Sequence, residues 1–264
     1  MERTDQEPVL RTRLSVRPFF SSLLIAGLFA GPAVSQGADS SASPDNNFLT
    51  LLGIHSASVA PRGLAFGGVS RSFNLDGEDA EEDTAASVGF GLGDANTGIG
   101  LQFTATANSE TDTFDSFGYL GVKAATRLQS ASAPTYVGLA VDRIGGWGAA
   151  EDVDQAASLM VTRFSSIQAG SNQYPVIMTL GAGSHVSDET TEPGVFLGAG
   201  VGLSQNLGVS ASWNGEWVVL GTGFKFDAVE NLTVTLALAD ALNRVEQQQV
   251  SLGVSWFFDT GLGR

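Results

Sequence analysis

The chain is dominated by an alternation of apolar residues with small or polar residues, which recurs from about Ala86 to Phe258. In the clearest stretch, 249–258, every even-numbered position is apolar, and the odd-numbered positions are mainly Gln, Ser and Gly. A two-residue period is the repeat of a β-strand with one apolar face. When many segments share it and the other face is small and polar, the pattern predicts a β-barrel whose outer surface contacts lipid.

Twelve segments carry this pattern or a weaker form of it. Most are 9–12 residues long, which suits a tilted strand that crosses a bilayer. They span 63–73, 85–93, 97–108, 116–128, 134–143, 157–166, 174–185, 194–203, 206–214, 216–226, 231–240 and 247–258. The fold class predicted for residues 63–258 is therefore all-β: a closed, antiparallel, up-and-down transmembrane barrel of about twelve strands. Ten or fourteen strands are the alternatives, because 63–73 and 157–166 alternate poorly.

The N-terminal 35 residues have the organisation of a secretory signal peptide. Basic residues precede an apolar run at 19–30, and Ala33-Val34-Ser35 is a small-residue cleavage site. The run is too short for a transmembrane helix and contains glycine and proline at its end. The predicted organisation is a signal peptide at 1–35, a flexible leader with a short apolar segment at 36–62, the barrel at 63–258 and a C-terminal tail at 259–264.

The charge and composition of the chain exclude nucleic acid as a partner and several kinds of chemistry. Its formal net charge is −15, and removal of residues 1–35 leaves nine basic and 25 acidic residues. Such a protein repels nucleic acid. The chain has no cysteine and two histidines, so it lacks disulfides, thiolate nucleophiles and the usual zinc ligands. No cofactor and no resident metal is predicted.

Acidic residues are concentrated in every second connection between the predicted strands. The first of these connections holds a cluster of carboxylates, which we call the acidic rim: Asp76, Glu78, Asp79, Glu81, Glu82 and Asp83. The intervening connections are mostly shorter and nearly free of acids, as periplasmic turns of outer-membrane barrels are. This predicts acidic external loops and places both termini in the periplasm. Carboxylates suit divalent cations such as Ca²⁺, although a solvated acidic surface is the simpler interpretation.

From Gly63 onward the chain resembles the porin-like class of small Gram-negative outer-membrane β-barrels. The most specific residues for this resemblance are Val250, Leu252, Val254, Trp256 and Phe258. In that class a final amphipathic strand that ends on an aromatic residue is the signal for the barrel-assembly machinery. The resemblance implies that residues 247–258 contact this machinery and that lipid of the outer membrane surrounds the barrel. The chain departs from the class because Asp259 to Arg264 follow the aromatic residue.

If the apolar face is outside, the polar residues of the strands point into the lumen. The predicted lumen-facing set is Gln102, Lys123, Arg127, Asp142, His185, Lys225 and Gln249, with Tyr119 beside them. A polar interior suits a water-filled channel, whereas mutual pairing of these residues would plug it. The aromatic residues near strand ends are predicted to lie at the membrane interface: Trp213, Trp217, Trp256 and Phe258.

The predicted function is passive passage of small solutes or ions across the outer membrane. The main alternative is a structural or surface-interaction barrel whose acidic loops meet ions or partners. An envelope hydrolase is the third hypothesis, based on Ser184 and His185. Adjacent residues of a strand point to opposite faces, which argues against cooperation of these two side chains. The chain is therefore predicted not to be an enzyme.

Overall fold

The fold is an up-and-down barrel that closes between its first and last strands. A computed structural model describes residues 47–75, 82–109, 117–148, 150–186, 193–226, 229, 231–245 and 248–261. The strands are β1 (Leu64–Asn74), β2 (Glu82–Gly93), β3 (Gly100–Ser109), β4 (Phe117–Arg127), β5 (Thr135–Gly148), β6 (Ala156–Ala169), β7 (Asn172–Gly183), β8 (Gly194–Gly202), β9 (Leu207–Trp213), β10 (Val218–Lys225), β11 (Leu232–Ala239) and β12 (Gln249–Asp259). Each pairs antiparallel with its neighbours in sequence, and β12 pairs with β1. The prediction of a closed barrel of twelve strands is confirmed.

The period-two pattern determines which side chains face outward. On β12, Leu252, Val254 and Trp256 are 37–46% exposed, whereas Ser251, which points inward, is 2% exposed. Val254 lies directly opposite Val69 of β1 and Val234 of β11, so outward apolar side chains align across strands. The result is an apolar band on the outside of the barrel, which in water would expose far more contiguous apolar surface than soluble monomers do. In the described part of the chain, no helix has the length and apolarity needed to cross a bilayer.

The two ends of the barrel differ in their connections. The β2–β3, β4–β5, β6–β7, β8–β9 and β10–β11 connections lie at one end, which also carries the start of β1 and the end of β12. We call this the turn end and the opposite one the loop end. The β6–β7 hairpin extends beyond the predicted strands to a two-residue turn, where Gly170 has a φ of 64°. Its outer part is exposed on both faces, and this explains the poor alternation there.

Residues 47–62 lie inside the barrel. The sequence had predicted them as part of a flexible leader that precedes it. They form neither helix nor strand, and we call them the luminal segment. Both of its ends contact the turn end: the amide of Phe48 donates to the carbonyl of Ser204, and the amide of Gly63 donates to that of Gly91. Its middle reaches farther up the lumen, where His55 meets Asp142 of β5. The segment therefore enters and leaves by the turn end and fills that half of the lumen.

Small inward residues of the strands create the space that the luminal segment occupies. A Cβ atom on Gly200 would overlap the carbonyl oxygen of Thr50. Hydroxyl groups of the wall bind the backbone of the segment: Ser212 Oγ donates to the carbonyl of Leu52 at 2.6 Å, and the amide of Ala57 donates to Thr162 Oγ1 at 2.8 Å. Buried backbone groups need such partners, because an unpaired one costs free energy comparable to a lost hydrogen bond. The small, hydroxyl-rich inner face is thus complementary to a chain segment without secondary structure.

The apolar side chains of the luminal segment add a packed core to this half of the lumen. Leu49, Leu51, Ile54, Ala57 and Val59 are buried. They share one cluster with inward residues of the wall, including Met160, Ile177 and Phe196. Burial of one large apolar side chain contributes about 1.5–3 kcal/mol. The segment is therefore held by apolar packing as well as by hydrogen bonds.

We expect a methyl group at position 200 to disturb the luminal segment. Gly200→Ala should lower the free energy of unfolding by about 1–3 kcal/mol, because the added Cβ meets backbone atoms of Thr50 that cannot move aside cheaply. The measurement is denaturant unfolding of the folded barrel in detergent micelles. Gly67→Ala is the matched control, since a Cβ there has no non-adjacent neighbour nearer than 3.6 Å. Equal stability of the two variants would contradict the close packing of the segment against β8.

Candidate functional site: a charged cavity above the luminal segment

A cavity of about 140 Å³ lies between the middle of the luminal segment and the loop end. Its floor is formed by Gly53, Ile54 and His55, and its walls come from the six consecutive strands β3 to β8. The polar side chains that border it are His55, Gln102, Thr104, Thr106, Tyr119, Lys123, Asp142, Arg143, Ser158, Ser184, His185 and Asn214. Of the predicted lumen-facing residues, four border this cavity: Gln102, Lys123, Asp142 and His185.

Regular strand geometry positions Gln102 and Lys123. The two residues are direct cross-strand partners on β3 and β4, and both are less than 10% exposed. Gln102 Oε1 accepts a hydrogen bond from the amide of Ala60 at 2.9 Å, so this side chain fixes the outgoing arm of the luminal segment. Lys123 also borders the cavity and is nearly fully buried.

A β-bulge brings two adjacent residues of β5 to the same cavity. Val122 pairs with Val141, but Leu120 pairs with Ile144, so β5 has one residue more than β4 in this interval. Arg143 has a φ of 62°, which is uncommon for a residue with a side chain. As a result Asp142 and Arg143 both border the cavity, where strict alternation would have sent Arg143 outward. Sequence reasoning missed Arg143 for this reason, and the only signal was the Gly145-Gly146 pair that follows it.

Asp142 connects the wall to the luminal segment. Its Oδ2 atom lies 3.4 Å from His55 Nε2. The carboxylate occupies space over Gly121, where a Cβ would come within 2.5 Å of Oδ1. Lys123 stands on the neighbouring strand, where its cross-strand partner is Ala140, two residues before Asp142 on the same face. Asp142 thus faces a permanent cation of the wall and an imidazole of the segment.

Ser184 and His185 both border the cavity, because β7 ends at Gly183 and strand alternation no longer applies to them. The expectation that they point to opposite faces assumed a strand that continued to residue 185. Ser184 Oγ accepts a hydrogen bond from the amide of Ala157 at 3.0 Å. Neither ring nitrogen of His185 has a hydrogen-bond partner among the described residues, so no hydrogen bond joins it to Ser184.

The other three predicted lumen residues lie away from the cavity. Arg127 is half-buried near the turn end of β4, on the same face as the buried Ala125. Lys225 is exposed at the turn-end rim of β10, in line with the inward Gly221 and Gly223. Gln249 is buried near the loop end, and its Nε2 donates to Asn74 Oδ1 at 3.0 Å.

The assignment of Trp217 to the membrane interface is wrong. Trp217 is 5% exposed and packs inside the barrel with Leu52, Val219 and Ala237. Trp217 lies just before β10 and two residues before the inward Val219. Because side chains of a strand alternate, its indole also points into the lumen. Val245 of the β11–β12 connection packs against the same cluster, so Trp217 closes part of the loop end.

The other three aromatic residues predicted at the membrane interface lie on the outer face of the barrel. Trp256 and Phe258 are 43% and 51% exposed near the turn end, and their rings stack at 6.1 Å. Trp213 is half-buried, directly opposite Leu197 of β8, whose side chain is exposed. Trp147 was not predicted, although its ring lies over Gly118 on the same face as the exposed Leu120.

Most of the acidic rim lies outside the described residues, namely Asp76, Glu78, Asp79 and Glu81. Glu82 and Asp83 are the first residues of β2 and therefore stand at the loop end, opposite Phe73 and Ser72. Within the described part of the chain, no three acidic or histidine side chains are grouped closely enough to hold a metal ion. Binding of divalent cations to the rim stays a prediction.

We expect Asp142→Ala to destabilise the barrel, because it leaves the buried ammonium of Lys123 without its facing carboxylate. The free energy of unfolding should fall by about 1–3 kcal/mol. Asp142→Ala combined with Lys123→Met should lose less than Asp142→Ala alone, and a double-mutant cycle measures the coupling. Asp152→Ala removes an exposed carboxylate near the loop end and should change stability by no more than about 0.5 kcal/mol. An equal loss in both single variants would refute the proposed pairing.

Comparison with known proteins gives similarity of fold. No family model matches the sequence, and no curated protein matches it. Among solved structures, the outer membrane protein Omp33 of Acinetobacter baumannii is 11% identical, with 75% of this chain and 98% of that chain covered and a TM-score of 0.45. The KdgM porin is 8% identical, with 72% and 99% covered and a TM-score of 0.46. Outer membrane phospholipase A of Escherichia coli is 14% identical, with 77% and 96% covered and a TM-score of 0.40. Similarity at this level concerns the fold alone.

Proposed function

We propose that this protein is an outer-membrane barrel that passes small solutes or ions through its lumen when the luminal segment moves aside. The apolar band on the outside supports a membrane location, because closed barrels satisfy every backbone group without lipid-exposed edges. The signal peptide predicted for residues 1–35 is consistent with the outer membrane. We place the turn end and both termini on the periplasmic side of the outer membrane, and the loop end on the outer side.

The observation that carries the proposal is how the turn-end half of the lumen is filled. Its occupant is the luminal segment, whereas the inward residues of the strands there are mainly Gly, Ser, Thr and Ala. Small barrels of eight strands are filled by side chains of their own wall. Without residues 47–60 the turn-end half of this twelve-stranded barrel would lose its occupant, because the wall there contributes mainly small side chains. The segment is thus the barrier that a solute must clear.

The attachment of the segment is compatible with movement. It contributes no strand to the barrel, so its displacement breaks no pairing between strands. The N-terminal arm, residues 47–53, is held by a few hydrogen bonds, such as Asn47 Nδ2 to the carbonyl of Gly202 at 3.0 Å, and by apolar contacts. Both ends of the segment lie at the turn end, so it can withdraw on one side of the membrane.

The second candidate function is a structural or surface-interaction barrel. The complete burial of Ala57 and the close fit of Thr50 against Gly200 favour it, because they describe a well-packed interior. In such a protein the segment would remain in place, and function would reside in the loops at the loop end. Conduction separates the two candidates.

We expect the chain to fractionate with outer membranes and to migrate faster in SDS gels before boiling than after. Val254→Arg tests the lipid contact directly, because Val254 lies in the apolar band. A charge at the bilayer midplane costs about 2–4 kcal/mol on the lipid face of a barrel, and unfolding equilibria in lipid vesicles measure this loss. In water the same substitution at an exposed valine would be nearly neutral. Recovery as a soluble periplasmic monomer would contradict the membrane location.

A reversible cross-link tests the barrier. A Cβ on Gly223 would lie 3.2 Å from the Cβ of Thr50, slightly short of the roughly 3.5–4.5 Å found in disulfides. The chain has no cysteine of its own, so Thr50→Cys with Gly223→Cys can form a single defined bond between segment and wall. In planar bilayers we expect conductance from the reduced protein, loss of conductance on oxidation, and recovery on reduction.

Gly223→Cys alone is the control, and its conductance should not respond to oxidant. Equal conductance of the oxidised and reduced double variants would show that the segment is not the barrier. A variant that lacks residues 36–60 and still migrates as a folded barrel supplies the remaining test. If neither this variant nor the reduced protein conducts, the pore is rejected in favour of the interaction barrel.

A further inference from the structure

We propose that Lys123 is a nucleophilic amine that captures a small aldehyde in the cavity as a reversible imine. This reaction goes beyond solute passage, because it takes place above the luminal segment while the segment remains in position. Lys123 borders the cavity and is 7% exposed. Its direct neighbours across the sheet are Gln102 of β3 and Ala140 of β5.

The first argument is that the amine is free to react. In the described part of the chain, Lys123 Nζ has neither a hydrogen bond nor an ion pair. Gln102, beside it, accepts a hydrogen bond from the amide of Ala60 instead. The nitrogen is also not closed off from water, as the unpartnered ring nitrogens of His185 are. A side chain that is more than nine-tenths buried and borders a cavity thus offers an unpartnered amine to whatever enters.

The second argument is that this position holds a lysine. The chain has 13 basic residues, of which two, Lys123 and Lys225, are lysines and the others are arginines. Arginine keeps its proton in proteins. A lysine amine attacks a carbonyl group once it is neutral, and burial is how proteins favour the neutral form of an amine. A need for positive charge alone would be met by the residue that the chain uses elsewhere, so the amine itself distinguishes position 123.

The third argument is the carboxylate beside the amine. Asp142 Oδ1 lies over Gly121, which is two residues from Lys123 on the same face of β4. An imine formed on a lysine takes up a proton and then carries a positive charge. A nearby opposite charge favours a charged group. Asp142 therefore stabilises the protonated imine without blocking the amine before it reacts.

The reaction balances without an oxidant or a reductant. The neutral Nζ of Lys123 attacks the carbonyl carbon, a C–N bond forms, and the carbonyl oxygen takes up a proton to become a hydroxyl group. The nitrogen gives up a proton, for which the carboxylate of Asp142 is an acceptor on the same face. Departure of the hydroxyl group as water leaves a C=N bond. One amine and one aldehyde thus give one imine and one water, and the reverse reaction releases the aldehyde.

The cavity limits the size and polarity of the aldehyde. Pockets for drug-sized molecules measure about 300–1,000 Å³. At about 140 Å³ this cavity suits an aldehyde of a few heavy atoms. Its lining combines the apolar side chains of Ile54 and Phe196 with the hydroxyl group of Thr104. A small, uncharged hydroxyaldehyde matches this mixture.

Reductive trapping in the full mature chain, folded in nonionic detergent and an amine-free buffer at pH 7, tests the site. The probe is glycolaldehyde with sodium cyanoborohydride, which reduces an imine to a stable secondary amine. Peptide mass spectrometry measures the rate of alkylation at each lysine and separates both from the N-terminal amine. We expect Lys123 to be alkylated about tenfold or more faster than the exposed Lys225, because Lys123 is the buried amine. The rate at Lys123 should saturate with aldehyde concentration, as a bound complex requires.

Lys123→Arg keeps the charge and removes the primary amine, so the fast, saturable alkylation should disappear. Lys225→Arg is the matched control and should leave that alkylation unchanged, and the gel shift on heating verifies the fold of each variant. If Lys123→Arg does not fold, the parent chain still decides, because its two lysines are compared within one molecule. Alkylation at Lys123 that is no faster than at Lys225, or that does not saturate, would overturn the proposal. Trapping needs no conduction, so its outcome is independent of the channel.

Discussion

The hydrogen-bonded closure of β12 onto β1 is the constraint on which the rest of the structure depends. In a bilayer every backbone N–H and C=O group must find a partner within the protein, and only a closed ring of strands gives each strand two. Closure gives each strand a lipid side and a lumen side and so enforces the two-residue pattern. Along eleven residue pairs, from Leu64 with Asp259 to Asn74 with Gln249, the β1–β12 register aligns the outward side chains of both strands, such as Val69 with Val254. It also pairs Phe66 with Phe257 on the inner face, where both are buried.

Closure also explains why the luminal segment can exist without secondary structure. The strands satisfy their own backbone groups, so the inward hydroxyls of Ser210, Ser212 and Thr162 are available to the backbone of residues 52–57. The same inward face must be small, since a Cβ on Gly200 would meet the segment. A wall of larger side chains would fill the lumen without it. The segment and the wall are therefore two halves of one packing arrangement.

The sequence predicts the strands well because their period is local, and it predicts the interior poorly because the interior is not. Strand number, order and the outward position of Val254 all follow from alternation. The place of residues 47–62 follows from complementarity to distant strands, which no local pattern records. Alternation also fails at its interruptions: the bulge at Arg143, and the residues beyond strand ends such as Trp217 and His185. Of the ionisable groups that border the charged cavity, the sequence predicts Tyr119, Lys123, Asp142 and His185 in the lumen. It misses Arg143, which the bulge turns inward, and His55, which belongs to the luminal segment.

The luminal segment forms the floor of the charged cavity and contacts its wall. His55 belongs to the segment and Asp142 to the wall, and their atoms lie 3.4 Å apart. A ligand that touches both the floor and the wall has fewer partners once the segment has withdrawn, so it binds the closed form more tightly. By thermodynamic linkage it then stabilises the closed form by the same free energy. In the proposed channel, a ligand that occupied the cavity would therefore oppose withdrawal of the segment.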